Sequence, residues 1–130
     1  MTDDLGTWLV AGAELLAAIL IAGFWLTWFR TPHEEPWLPS GYVEHERVFV
    51  FPDSVLAVTL VTSAALLLQE EPLGRSLALV AAGMLTFLGV IDVAYFVQHG
   101  MFRREREGAL NLALVIGVFA LALILFVRYA

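Results

Sequence analysis

"ERVFVFPDSVL", residues 46–56, is the stretch on which the reading of this chain turns. Four apolar residues, Val48 to Phe51, run into Pro52 and Asp53, and no further charge appears until Glu70. From Asp53 to Gln69 the segment would make about 25 Å of helix at 1.5 Å per residue, at the short limit for crossing a hydrocarbon core. The span works comfortably only if Val48–Phe51 enters the bilayer with it. Pro at the first helical position and Asp in the first turn are helix-start signals, so Asp53 is either a helix-start acid or one wall of a polar site sunk below the headgroups.

The composition makes a bilayer the expected solvent. Of 130 residues, 60% are hydrophobic, and the mean hydropathy is +0.81. A core of this size cannot hide so much apolar surface from water. No cysteine is present, which excludes disulfides and thiolate metal sites. All 7 basic residues are arginine, and with 13 acids the net charge is −6. Nucleic acid is therefore not an expected partner, since it attracts basic faces. The acidic start "MTDDLGTW" lacks the basic region of a cleaved signal peptide.

Four apolar runs, about 5–29, 48–69, 76–98 and 109–129, each approach the length of a membrane-crossing helix. Between the first two lies an acidic, Pro-rich loop, 30–47, while "EEPLGR" and "HGMFRREREG" are short. The expected fold is an all-α, single-domain, four-helix antiparallel membrane bundle running up-down-up-down. Arg30, Arg47, Arg103, Arg104 and Arg106 outnumber Arg75 and Arg128 on the opposite side. The positive-inside rule then puts the first and third loops in the cytoplasm and both termini on the outer side of a prokaryotic cell membrane. Trp8, Trp28, Trp37 and Tyr129 read as interface anchors, with Trp25 deeper.

Acids inside hydrocarbon cost several kcal/mol and persist where they face protein or water. Glu14 shares a stripe with Thr7, Ala11, Ala18, Ile21 and Trp25, a small-residue face suited to another helix. It reads either as a protonatable site for transport or cation binding, or as a hydrogen-bonded structural acid. Asp92 lies near the cytoplasmic end of the third helix, where the layout also brings Asp53 and the start of the fourth. A ligand or proton site of Asp53, Asp92, Tyr95, His99 and Asn111, with Gln98, is expected there, extended toward Glu14 by Thr59, Thr62, Ser63 and Thr86. The competing reading is a polar network that fixes helix register.

No metal site is expected. His33, His45 and His99 show no ligand spacing, and Glu44 and Glu46 of "EHE" would flank a site only in an extended segment. No nucleophile pairing or phosphate loop is present, serine in membrane helices usually bonds its own backbone, and no cofactor is expected. Gly83, Gly89 and Gly117 read as close-packing positions.

"AGAELLA" around Glu14 is similar to the first helix of the small multidrug resistance exporters. That resemblance implies proton exchange for a lipophilic cation at Glu14, and it stops there. The long loop after the first helix and the second acid in the third depart from the family. "YVEHERVFVFPD" (42–53) with "DVAYFVQHG" (92–100) resembles small four-helix membrane proteins of bacteria and archaea with no assigned activity. This second resemblance implies only that the acids belong together.

Three functions compete. In the first, the chain binds or transports a small lipophilic or cationic ligand through the intramembrane carboxylates. In the second it is a membrane-embedded enzyme acting on a lipid or isoprenoid, with Asp53 and Asp92 as acid and base. In the third it is an accessory subunit with no chemistry, meeting membrane lipid, a second copy or another membrane protein.

Overall fold

The computed structural model describes residues 4–36, 38–102 and 105–130, with side chains in the last stretch from Glu107 onward. Trp37, Arg103, Arg104 and the Arg106 side chain, used above for anchoring and orientation, lie outside the described residues. The described elements are helices: α1 (Asp4–Arg30), α2 (Tyr42–Val48), α3 (Val50–Leu68), α4 (Pro72–Gln98) and α5 (Glu105–Tyr129).

Four helical segments are long and apolar enough to cross a membrane: α1, the α2–α3 unit, α4 and α5. In each, only 22% to 28% of the most apolar window is buried. Outward-facing leucine, isoleucine, valine and phenylalanine cover the rest. Water does not tolerate an apolar surface of that extent, whereas lipid is its natural solvent. The arrangement fits a small multi-pass membrane protein.

Helix ends follow local chemistry. Pro72 occupies the first turn of α4, where its missing N–H costs nothing. At the end of α3, Glu71 N–H donates to Leu66 O (2.9 Å) and Glu70 N–H to Leu67 O (3.1 Å). This is a Schellman closure, with Glu70 in the left-handed position at φ 59°. The end of α4 repeats the motif: Met101 N–H donates to Phe96 O (2.8 Å) and Gly100 N–H to Val97 O (3.3 Å). There the left-handed residue is Gly100, at φ 65°.

The principal packing runs α1 on α3, α3 on α4 and α4 on α5, while α1 and α5 meet only lightly. Leu60, Ala64, Ala78, Ala81 and Leu125 are essentially inaccessible. Small residues let the backbones close in. A Cβ added at Gly74 would stand 2.7 Å from Leu67 N, and one at Gly89 would stand 2.9 Å from Phe119 Cζ. Gly83 and Gly117, also expected at seams, have nothing within 4 Å of such a Cβ. Lacking side chains, they were indistinguishable from Gly89 until the facing residues were known.

Two expectations are corrected. The stretch holding "EHE" is helical (α2) and not extended, so the geometry in which Glu44 and Glu46 flank a site does not exist. Pro52 is not the first residue of its helix: α3 starts at Val50, and α2 leads into it through Phe49 alone.

Candidate functional site

The end of α1, all of α2, the start of α3 and the end of α4 supply one polar and aromatic cluster. Trp25, buried near the end of α1, donates its indole N–H to Asp53 Oδ2 across 2.9 Å. The bond joins α1 to α3, so Asp53 has a tertiary role. A partly buried carboxylate held by a neutral donor keeps most of its negative field.

Asp92 on α4 lies close enough to Asp53 for the two charges to interact, and Glu46 on α2 is within range of both. All three are partly buried. No ion pair to any of them is formed among the described residues. Three like-charged groups in one half-dry cluster repel unless an electropositive group joins them. Glu46 was not among the expected site residues. Its signal was spacing: it precedes Asp53 by two helical turns, which puts both on one face if the helix is nearly unbroken.

Aromatic rings wall the cluster. His45 stacks on Tyr95 with centroids 3.9 Å apart and planes 7° from parallel, and His99 approaches the same ring at 4.3 Å. Trp28 packs against Trp25 at 5.3 Å and His33 at 4.3 Å, and the His33 ring donates through Nε2 to Trp28 O at 2.9 Å. Several polar atoms here are buried with no hydrogen-bond partner: Trp28 Nε1, His45 Nε2 and the Tyr95 hydroxyl. The Tyr42 hydroxyl lies beside the Trp28 indole, outside hydrogen-bonding geometry. Buried polar atoms are normally paired, and these three are unsatisfied. A hollow of about 230 Å³ adjoins on the loop side, lined by His33, Glu35, Tyr42 and Glu44 among others.

The remaining expected residues divide. Asn111 serves the α4–α5 turn, its Nδ2 donating to Met101 O at 3.0 Å. Gln98 and His99 are exposed. Thr59, Thr62 and Thr86 donate to carbonyls of their own helices at 2.7–2.8 Å and form no polar path. Ser54 likewise bonds its own helix, at Val50 O. Ser63 does not: it donates to Gly74 O on α4 at 3.1 Å. Among the described residues no group of three or more His, Asp or Glu side chains converges tightly enough to hold a metal ion.

Glu14 stands apart. Trp25, Asp53's partner, is about 16 Å further along α1, and Ala18, Leu56 and Leu60 of the main core fill the space between. Glu14 is wholly buried, beside the Ser63 hydroxyl, and neither carboxyl oxygen has a hydrogen-bond partner. The structure thus brings Asp53 and Asp92 within charge range of each other, with Tyr95 in range of Glu46, and leaves Glu14 in a buried seam.

No family model matches the chain, and no curated protein or solved structure matches it.

Proposed function

We propose that the chain is a four-helix antiparallel protein of the prokaryotic cell membrane that binds a small organic cation at the Glu46/Asp53/Asp92 cluster. Opposed helix directions are supported by contacts that pair the end of one span with the start of its neighbour. Trp25 meets Asp53, and Arg75, near the start of α4, donates to Tyr129 O at the end of α5 at 2.7 Å. With the arginine bias of the loops, this reading puts the cluster at the cytoplasmic end and both termini outside.

One observation carries the ligand class: three carboxyl groups in mutual charge range, with no ion-paired base among the described residues, beside the aromatic group of Tyr95, His45 and Trp28. A cation there gains carboxylate attraction, and its organic body packs beside the rings. The test uses purified protein in nanodiscs with tetraphenylphosphonium as probe and neutral triphenylphosphine oxide as control. The expected result is binding of the cation alone, weakened about tenfold or more by Asp92→Asn. Equal binding of the neutral compound, or unchanged affinity in Asp92→Asn, overturns the reading. Uptake into proteoliposomes then separates a carrier from a binding module.

The proximity of Asp53 and Asp92 also supports a second reading, a lipid-modifying enzyme using the two as acid and base. Conversion of an isoprenoid or phospholipid substrate, lost in Asp53→Asn, distinguishes it.

A further inference from the structure

We propose that a hollow at the other end of the bundle seats the headgroup of a zwitterionic phospholipid with a primary amine, of the phosphatidylethanolamine class. The hollow, of about 430 Å³, lies among Asp4 and Trp8 of α1, Leu67 and Glu70 at the end of α3, and Tyr129 of α5. Ligand sites ordinarily measure about 300–1,000 Å³. Asp4 precedes Trp25 on the continuous helix α1 by about 30 Å, so this place is remote from the Asp53/Asp92 cluster. Asp4 opens α1, Glu70 follows α3 and Tyr129 closes α5. The hollow therefore opens where the spans leave hydrocarbon and lipid headgroups begin. Trp and Tyr are the side chains that settle at that level.

Both signs of charge meet at the wall, and this selects the ligand. Asp4 and Glu70 line the hollow directly. Arg75 Nε donates to Tyr129 O at 2.7 Å. Arg128 donates to the Tyr129 hydroxyl at 3.3 Å and to Thr7 Oγ1 at 3.4 Å, and Thr7 lines the hollow too. Two guanidinium groups are thus fastened to lining residues. An ammonium offers three N–H donors to carboxylates, and phosphate is the natural partner of guanidinium. A simple anion would meet the two acids, and a simple cation the two arginines. An amine joined to a phosphate by a short arm suits both, whereas choline has no N–H to donate. Glu70 adds an independent sign. It holds φ 59° at the close of α3, a position that glycine fills without strain, and here it carries a carboxylate that lines the hollow. Acyl chains also have an apolar course, because α1 and α5 meet only lightly and Leu5, Leu9, Phe126 and Val127 are exposed.

The test is lipid retention by the full-length protein in mild detergent, offered an equimolar mixture of phosphatidylethanolamine, phosphatidylcholine and phosphatidylglycerol. Native mass spectrometry counts the lipid that stays bound. Phosphatidylcholine keeps the phosphate and removes the N–H donors, and phosphatidylglycerol removes the positive charge altogether. The expected result is retention of phosphatidylethanolamine about tenfold above either competitor. Glu70→Gly relieves the left-handed turn, so the variant is expected to melt no lower than the parent and yet to lose the preference. Arg75→Gln is expected to weaken retention of all three lipids, and Asp92→Asn, at the far end, to leave the preference intact. Equal retention of phosphatidylcholine, or preference for phosphatidylglycerol, overturns the proposal. Persistence of the preference in Glu70→Gly overturns it equally.

Discussion

The indole N–H of Trp25 on α1 and Oδ2 of Asp53 on α3 meet at 2.9 Å although 28 positions separate the two residues in sequence. Asp53 is thereby a tie between the first helix and the rest of the bundle. It occupies an early turn of α3, where an acid also suits the helix dipole, but its hydrogen bond is spent on another helix.

Trp25→Phe keeps an aromatic ring in the seam and removes the donor. It is expected to lower stability by about 1.5–3 kcal/mol, the range for a hydrogen bond to a charged group. Asp53→Asn retains an acceptor and is expected to cost less. Unfolding midpoints of the two single variants and the double variant close a cycle, with an expected coupling of about 1–2 kcal/mol. Strict additivity would show that the bond contributes nothing.

The α4–α5 seam predicts opposite outcomes at two glycines of one helix. Gly89→Ala drives a methyl group to 2.9 Å from Phe119 Cζ and 3.2 Å from Val118 Cγ1. An overpacking loss of about 1–3 kcal/mol is expected. Gly83→Ala meets nothing within 4 Å and is expected to be neutral or to stabilise by up to about 1 kcal/mol through helix propensity. Thermal melts of the two variants side by side decide the matter.

Tyr95→Phe removes a buried hydroxyl that has no partner and leaves the stacked ring in place. An unsatisfied buried polar group costs about 1–3 kcal/mol, so the ligand-free variant is expected to be at least as stable as the parent. A fall of 1 kcal/mol or more would mean that the hydroxyl is bonded in the unliganded protein. Unfolding in detergent without added cation is the measurement.

Hydropathy located the spans because lipid selects composition directly, but it placed starts late. Pro72 and Glu105 lie outside the apolar runs that open at Ser76 and Ala109, yet both belong to helices, since a helix continues past the hydrocarbon edge into the polar interface. The missed element was α2. "YVEHERV" is charged and follows three prolines, Pro32, Pro36 and Pro39, so no apolar periodicity announces it. Its helix begins after Gly41 at φ 79°, a backbone choice that composition does not reveal. Glu46 was hidden with it. Asp53 and Asp92 were legible as a pair because charge in a bilayer is rare and the short α3–α4 link fixes how the two helices align. Asn111 shows the limit of that logic: it was expected in the site, but its Nδ2 donates to the Met101 carbonyl in the turn before its own helix.

The two Schellman turns bear on how the molecule assembles. Each closes its helix end with the chain's own backbone, so α3–α4 and α4–α5 are joined by links that need no help from elsewhere. Such hairpins have low contact order and form from neighbours in sequence. The first helix differs. It is joined to α3 through the longest connection and fastened by bonds that exist only once distant partners are in place, Trp25 to Asp53 and Thr7 to Arg128 at 3.4 Å. Arg128 lies at the very end of α5, so this second bond forms only when α5 is in place. The Trp25–Asp53 bond and the main packing of α1 require only α3, so α1 has two partners of very different reach: its near neighbour α3, and the far end of α5.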